Sequence, residues 1–358
     1  MTISQTKYFP PLTGLRALAA SMVFFHHANP FLPNGSQRIL FLFVNEFHVG
    51  VSLFFVLSGF LIYSRYESSL FKTSHWFLHY LQNRFARIYP LYFLLTTLTF
   101  AALLITDRLT LNAEGMFIYI TNITLLKGFF NELKFTGIGQ GWSLTVEECF
   151  YFLAPFLFLR WTKLKFIIPV ILLLSGSLLV LLFSRVDFYG FFSNFHFMMV
   201  YTFFGRCFEF CAGIGLASYL KNRGDKRILW SATYFGLIGI LLIISLLTLL
   251  GENGNSGLEH PTGVLLNNFI LPLAIATFIY GLIKENTWIQ KILSSDLASL
   301  LGKSSYAFYL IHAGIFFSAI YHYVTQNVFL IFVLLLLTAM ALYYFVEKPL
   351  NERWKSRT

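Results

Sequence analysis

Residues 328–346 read VFLIFVLLLLTAMALYYFV, nineteen consecutive positions without a charged side chain. At 1.5 Å per residue, an α-helix of this length spans about 28 Å, close to the hydrocarbon thickness of a bilayer. Comparable apolar runs recur from one end of the chain to the other, separated by short polar breaks. The pattern predicts an all-α integral membrane protein.

The overall composition supports the same class. The chain has 358 residues, of which 57% are hydrophobic and only 12% are charged. A soluble domain of ordinary composition carries about 25% charged residues. These proportions exclude a soluble enzyme, a disordered chain and a nucleic-acid-binding protein. The surplus of 26 Lys and Arg over 16 Asp and Glu is explained by the enrichment of basic residues in cytoplasmic loops.

Ten transmembrane spans are predicted, in one polytopic membrane domain that covers residues 1–358. They lie near 12–30, 40–64, 88–106, 142–160, 166–184, 199–219, 228–250, 263–283, 304–323 and 328–346. The apolar stretch 115–126 is too short to cross the bilayer, which favours a re-entrant or interfacial segment.

The distribution of basic residues predicts the orientation. With the N terminus inside, nineteen Lys and Arg residues fall on the cytoplasmic side and five on the outer side. The cytoplasmic set includes the cluster KNRGDKR at 221–227. This bias places both termini in the cytoplasm.

Ionisable side chains within spans are energetically costly and therefore mark candidate functional sites. Arg16 and His27 lie in the first span, eleven residues apart, so both point in nearly the same direction about 16 Å from each other. His26 points about 80° away from that line. The pair predicts a polar stripe with Arg16 near the cytoplasmic end and His27 near the outer end.

The fourth span contains GWSLTVEECFYFLAP, in which Ser143, Glu147 and Tyr151 recur on one helix face. Glu148 is turned aside. Because this span descends from the outside, Glu147 is expected at a depth similar to that of His27. A carboxylate and an imidazole at matching depth are able to form a general-base pair.

Other polar residues have both a functional and a structural interpretation. Arg84 and Arg87 suit a phosphate clamp, or they simply flank the third span on its cytoplasmic side. Arg206 and Glu209 are spaced to neutralise each other. Ser305, Tyr309 and His312 share a face and suit polar contacts between helices. The three cysteines, Cys149, Cys207 and Cys211, are expected to be small buried hydrophobes, and no metal site is predicted.

Seven segments, taken together, resemble the membrane-bound acyltransferase family 3. They are GLRALAASMVFFHHA (14–28), GVSLFFVLSGFLI (50–62), RFARIYPLY (84–92), WSLTVEECFYFLAP (142–155), GRCFEFCAGIGLA (205–217), SSYAFYLIH (304–312) and VEKPL (346–350). They occur in order over nearly the whole chain. The resemblance implies ten core spans and the acylation of hydroxyl groups on surface glycans or small molecules.

The resemblance assigns roles to particular residues. The family's Arg and His of the first span fall on Arg16 and His27, and its R-x-x-R motif, associated with acyl-donor binding, falls on Arg84 and Arg87. Its W-S-L-x-V-E element supplies Trp142, Ser143 and Glu147. Thr13 and Ser52 stand where members often carry Asp, which puts a role for acids at those positions in doubt. The extracytoplasmic esterase-like domain of some relatives is not expected here.

The expected activity is transfer of an acyl group, favoured as acetyl, from cytoplasmic acyl-CoA to a hydroxyl of an extracytoplasmic polysaccharide. Acyl-CoA serves as a co-substrate bound by Arg16, Arg84 and Arg87, and no bound cofactor or nucleic acid is expected. His27 is the expected base and Glu147 its support. Contacts to the acceptor or to the oxyanion are expected from a wider set: Trp142, Ser143, Arg206, Glu209, Tyr309 and His312. Direct transfer and an acyl-histidine intermediate are equally compatible.

The favoured acceptor is lipopolysaccharide O-antigen, reached from a bacterial inner membrane among lipids. Exopolysaccharide, peptidoglycan and macrolide-like acceptors remain open. Two other classes also remain: a proton-coupled transporter or flippase, which would use Glu147, His27 and His312 as a relay, and a non-catalytic membrane sensor. The arginine pair argues against the transporter because a carrier has no need of an acyl-CoA clamp.

Overall fold

The computed structural model describes residues 8–223, 231–251 and 254–355, and in this part of the chain every regular element is helical. The α-helices are Pro10–His27, Arg38–Asn45, Gly50–Tyr66, Trp76–Ile105, Ala113–Ile123, Trp142–Leu164, Ile167–Phe183, Phe195–Tyr201, Phe203–Arg223, Ala232–Leu250, Pro261–Leu265, Leu271–Lys284, Trp288–Leu293, Asp296–Lys303, Ser305–Ile311, Ile315–Tyr323, Val328–Leu342 and Lys348–Trp354. Two π-helical turns, Leu266–Ile270 and Tyr343–Glu347, interrupt longer helices. Both chain ends, and most of the basic cluster at 221–227, lie outside the described residues.

Seven helical segments of the described chain are long and apolar enough to cross a membrane. They are Gly35–Ser69, Trp76–Ile105, Gly139–Leu164, Phe195–Asn222, Ala232–Leu250, Pro261–Lys284 and Val328–Trp354. The predicted class, an all-α multi-pass membrane protein, is therefore confirmed. The helix Ala113–Ile123 has eleven residues, in agreement with the prediction that 115–126 is too short to cross.

The other three predicted spans correspond to helices that are shorter or more polar. The helix Pro10–His27 carries two prolines, an arginine and two histidines in eighteen residues. The helix Ile167–Phe183 has seventeen residues. The predicted span 304–323 is divided at Gly314, whose φ of 73° no helix accepts. These features shorten the continuous apolar helix in each of the three segments.

The described residues form two compact units. The first contains those of Met1–Lys72, Ala154–Lys165 and Phe208–Lys303. Within it, the backbone of helix Gly50–Tyr66 packs directly against the backbone of the part of helix Phe203–Arg223 that follows Phe208. A Cβ on Gly213 would lie 2.1 Å from the Val56 carbonyl oxygen, and one on Gly59 would lie 2.2 Å from that of Phe210. Small residues at such crossings allow two membrane helices to approach closely.

The second unit contains the described residues of Thr73–Leu153, Phe166–Cys207 and Ser304–Thr358. Its helices are joined by tyrosine hydroxyls. Tyr80 donates to the Tyr151 carbonyl at 2.9 Å, and Tyr306 donates to the Ile88 carbonyl at 2.7 Å. Each such bond satisfies a polar group where apolar surroundings make an unpaired one costly.

The connection that leads into helix Trp142–Leu164 is fixed by a buried lysine. The Lys127 ammonium donates to the carbonyls of Thr136 at 2.6 Å and Ile138 at 2.5 Å, and its side chain is 0% exposed. Burial lowers the pKa of Lys127 to about 7. Lys127 thereby holds the loop that sets the start of the helix carrying Ser143 and Glu147.

The buried lysine should make stability depend on pH. Lysine in an unfolded chain has a pKa of about 10.4, so between about pH 7 and 10 the unfolded state binds more protons than the folded one. Raising the pH through this window should therefore stabilise the fold, by at most about 1.4 kcal/mol per pH unit. In detergent-solubilised wild type, the midpoint temperature of thermal unfolding should rise between pH 7 and pH 9. In Lys127→Met, this rise should be absent. Exposed Lys291→Met provides the matched control, and equal slopes in wild type and Lys127→Met would contradict the assignment.

Candidate active site

The first unit carries the polar stripe on helix Pro10–His27. The helix is continuous between Arg16 and His27, as the stripe requires. The Arg16 guanidinium lies 6.0 Å from the ring centre of Phe54. His27 is the last residue of the helix, and its side chain is exposed. The helix therefore carries an exposed imidazole, His27, at its C-terminal end and a cation, Arg16, about three turns earlier. The roles of both residues stay predictions.

Two further histidines lie beside His27. The His26 ring centre is 4.9 Å from that of His27 and 5.6 Å from that of His48. His26 Nδ1 donates to the carbonyl oxygen of Asn45 at 2.6 Å. His48 Nε2 in turn lies 2.9 Å from a carboxylate oxygen of Glu46. Three imidazoles and a carboxylate therefore meet where this helix ends.

Sequence reasoning misses Glu46 and His48. Both lie inside the predicted span 40–64. Ionisable residues within a span are energetically costly, and this rule could have marked both as candidate functional residues. In the structure this span is interrupted by a 3₁₀ turn at Glu46–Val49, between helices Arg38–Asn45 and Gly50–Tyr66.

The second unit contains a chain of polar contacts around Glu147. The Tyr151 hydroxyl donates to the Glu147 carboxylate, so these two side chains share one helix face as the sequence predicts. The Arg84 guanidinium lies 5.8 Å from the ring centre of Tyr151. A cation, a phenol and a carboxylate are thus connected, and two of the three side chains, Arg84 and Tyr151, are buried, where electrostatic interactions are stronger than in water.

The start of the helix that carries Arg84 differs from the sequence prediction. The third span was expected to begin at residue 88, with both arginines at its cytoplasmic mouth. The helix instead begins at Trp76, which places Arg84 about 12 Å along it. Arg84 is buried, with 5% of its surface exposed, whereas Arg87 is half-buried. The two arginines of the R-x-x-R motif therefore have different surroundings.

Several of the predicted acceptor or oxyanion residues come together. The hydroxyls of Ser143 and Tyr309 lie 2.8 Å apart. Gln140 Nε2 donates to the Tyr309 carbonyl at 2.9 Å, and His312 Nδ1 lies 2.8 Å from the same oxygen. The side chains of Gln140, Ser143, Tyr309 and His312 are all buried. Gln140 is the member of this group that sequence reasoning does not find.

Arg206 belongs to the same polar region. Its side chain is buried and donates from Nη1 to the Val200 carbonyl at 3.3 Å. The charges of Glu147 and Arg206 both act on the Tyr309 hydroxyl. Trp142 lies to one side, in edge-to-face contact with Tyr201 at 5.0 Å. The second unit thus gathers two hydroxyls and the Arg206 cation, which are groups of the kind that stabilise an oxyanion.

The remaining predicted residues are distributed between the units. Arg16, His27 and the fully buried Glu209 belong to the first, and Glu147, Arg84, Arg87, Trp142, Ser143, Arg206, Tyr309 and His312 belong to the second. The pairing of His27 with Glu147 therefore stays a prediction. Among the described residues, no group of three or more His, Cys, Asp and Glu side chains is arranged to hold a metal ion.

The neighbouring acids Glu147 and Glu148 face different surroundings. Glu148 lines a cavity of about 230 Å³ in the second unit, whereas Glu147 accepts the Tyr151 hydroxyl. The other lining residues are Phe85, Tyr89, Thr124, Leu125, Leu126, Phe129, Thr145 and Cys149. This separation agrees with the prediction that Glu148 is turned aside, and it provides a control position for Glu147.

Comparison with known proteins yields one family and a set of distant relatives. Residues 11–347 match the acyltransferase domain of acyltransferase family 3. The O-acetyltransferase OatA of Staphylococcus aureus (strain COL) is 26% identical over 97% of this chain. Putative O-acetyltransferases of Staphylococcus aureus strains COL and MSSA476 are each 24% identical over the same share.

The chain spans about 58% of the length of each of these relatives. No solved structure matches it significantly. The family match, in contrast, extends over nearly the whole chain and contains all the residues of the two polar regions described above. The chain therefore belongs to the membrane-bound acyltransferase family 3.

Proposed function

We propose that the protein is a membrane-bound O-acetyltransferase that moves an acetyl group from cytoplasmic acetyl-CoA to a hydroxyl of an extracytoplasmic saccharide. The observation that carries the proposal is the family match over residues 11–347, in a chain that retains Arg16, His27, Arg84, Arg87 and Glu147. The proposal treats residues 1–358 as one acyltransferase domain. The relatives named as O-acetyltransferases support the same reaction class.

The donor is held by arginine side chains. Guanidinium groups bind phosphates through paired hydrogen bonds, and the half-buried Arg87 and Arg16 suit the phosphates of CoA. The buried Arg84, which contacts the Tyr151 ring, suits a role deeper in the site. Acetyl-CoA is a co-substrate in this scheme rather than a resident cofactor.

The chemistry is acyl transfer assisted by a general base. His27 takes the proton of the acceptor hydroxyl as its oxygen bonds to the thioester carbon, the C–S bond breaks, and the imidazolium returns the proton to the departing thiolate. Glu147 supports the imidazolium. The hydroxyls of Ser143 and Tyr309, together with Arg206, supply the donors and positive charge that suit the oxyanion. An acyl-histidine intermediate fits the same groups.

The proposed acceptor is a polysaccharide at the outer face of a bacterial inner membrane, with lipopolysaccharide O-antigen first and exopolysaccharide, peptidoglycan or a macrolide-like molecule as alternatives. The orientation predicted from the basic residues supports an outward-facing acceptor. It places the exposed His27 at the outer end of its helix.

The test is gain of an acetyl group on surface glycan. Cells that express the protein and cells with an empty vector are compared by mass spectrometry before and after mild alkali. We expect an alkali-labile increment of one acetyl group only in the expressing cells, and consumption of labelled acetyl-CoA by the purified protein. Absence of both the increment and acetyl-CoA turnover would reject the proposed function.

A further inference from the structure

Glu46 is a buried carboxylate whose oxygens are both engaged by the protein. Its side chain is 1% exposed. One oxygen accepts the Gly257 backbone N–H at 2.7 Å, and the other accepts the Ser256 hydroxyl at 3.0 Å and His48 Nε2 at 2.9 Å. Because both oxygens are engaged, Glu46 has little capacity for a ligand of its own. What it can do is orient the imidazole of His48.

This arrangement fixes which nitrogen of His48 carries the proton. A carboxylate only accepts hydrogen bonds, so Nε2 of His48 must donate. In the neutral ring the other nitrogen, Nδ1, is then a hydrogen-bond acceptor. Among the described residues, no hydrogen bond reaches Nδ1 of His48, and 13% of the side chain remains exposed. A small molecule bearing a hydroxyl is a donor of matching chemistry.

The position of His48 connects it with the proposed base. Its ring lies edge-on to His26, and His26 in turn contacts His27. His26 Nδ1 is already engaged by the Asn45 carbonyl, and the Asn45 side chain donates to the Gly254 carbonyl at 3.2 Å. Within this cluster, His48 therefore has a partly exposed acceptor nitrogen on a ring that a buried carboxylate orients.

We propose that His48, oriented by Glu46, binds a hydroxyl group of the saccharide acceptor and positions that acceptor at His27. The inference rests on the proposed function, which it deepens by naming an acceptor-binding residue. His48 acts on a hydroxyl other than the one acylated, by accepting its hydrogen bond. No bond to carbon is made or broken at His48, and Glu46 is a positioning residue that acts through it.

A purely structural role is the alternative. Glu46 already joins the turn at Glu46–Val49 to Ser256 and Gly257, residues more than 200 positions away. That task needs Glu46 and does not need the second nitrogen of His48. The two interpretations predict different kinetics when His48 is changed to phenylalanine, because phenylalanine keeps an aromatic ring in contact with His26 and removes both nitrogens.

The experiment compares transfer with hydrolysis in purified wild type, His48→Phe and Glu46→Gln. The acceptor probes are N-acetylchitotetraose and de-O-acetylated O-antigen polysaccharide, and water is the competing acceptor in acetyl-CoA hydrolysis. Loss of one hydrogen bond to the saccharide should raise its KM about tenfold and lower the ratio of transfer to hydrolysis by a similar factor. Glu46→Gln should shift the ratio in the same direction. Exposed His260→Ala is the matched histidine control and should keep the wild-type ratio.

The outcomes separate this inference from the proposed function. A wild-type protein that acetylates neither saccharide and turns over no acetyl-CoA rejects the function itself. An active wild type with His48→Phe at the wild-type ratio overturns the inference alone. Equal loss of transfer and hydrolysis in His48→Phe also overturns it, since a structural role lowers both together. If His48→Phe does not fold, the ratio of transfer to hydrolysis in Glu46→Gln tests the inference instead: a lowered ratio supports it, and the wild-type ratio overturns it.

Discussion

Replacing His27 by alanine should lower acetyl transfer by about 10²- to 10⁴-fold, the usual contribution of a general base. His27 is exposed at the end of helix Pro10–His27, so its removal leaves no large cavity and the fold should persist. The KM for acetyl-CoA should change little because the phosphates are proposed to bind the arginines. The measurement is the initial rate of transfer in purified protein, with thermal unfolding to confirm folding.

His26→Ala is the matched control for this experiment. It removes a neighbouring imidazole whose Nδ1 is engaged by the Asn45 carbonyl. We expect His26→Ala to lower thermal stability and to reduce the rate by less than about tenfold. Full transfer activity in folded His27→Ala would eliminate the proposed base, and loss of equal size in both variants would indicate a structural effect of the imidazole cluster.

The helical character of the chain was accessible from sequence because apolar length is a local property. Residues 232–250 and 328–346 carry runs that no soluble fold explains. The start of helix Trp76–Ile105 was not accessible in the same way. Its first turns, WFLHYLQNRFAR, mix aromatic and charged side chains, so hydropathy does not distinguish a buried helical extension from a cytoplasmic loop. The burial of Arg84 depends on that extension.

Part of the candidate site was likewise accessible from helix periodicity. The spacing of Ser143, Glu147 and Tyr151 predicts one face, and the Tyr151–Glu147 hydrogen bond confirms it for the latter two. The Glu46–His48 contact was not predicted. The partners that bury and fix Glu46 are Ser256 and Gly257, about 210 residues along the chain. Periodicity reports which residues share a face, but it carries no information about a distant loop.

The burial of Lys127 is a second feature that could not be predicted from the sequence. A lysine in the link between two spans is expected to be solvated. Lys127 is instead fully buried, because the carbonyls of Thr136 and Ile138 converge on its ammonium. Such convergence depends on how the loop before Trp142 folds back on itself, and no residue pattern in the loop predicts it. Contacts of this kind position the start of the helix that carries Ser143 and Glu147.

Replacing Glu147 by glutamine should lower acetyl transfer by at least about 100-fold while the protein stays folded. Glutamine keeps the shape of the side chain and an oxygen that accepts the Tyr151 hydroxyl, but it removes the negative charge. In the proposed mechanism that charge stabilises the imidazolium of His27, so kcat should fall while the KM for acetyl-CoA changes little.

Glu148→Gln is the matched control, because it removes one carboxylate from the same helix at the adjacent position. Glu148 lines the cavity with Thr145 and Cys149, and the Tyr151 hydroxyl donates to Glu147 instead. We expect Glu148→Gln to retain transfer within a few-fold of wild type, since its charge is not part of the proposed chemistry. Equal losses in the two variants would show that the rate follows the total charge of the helix. Full activity in Glu147→Gln would remove Glu147 from the mechanism and leave His27 to act without an acidic partner from this helix.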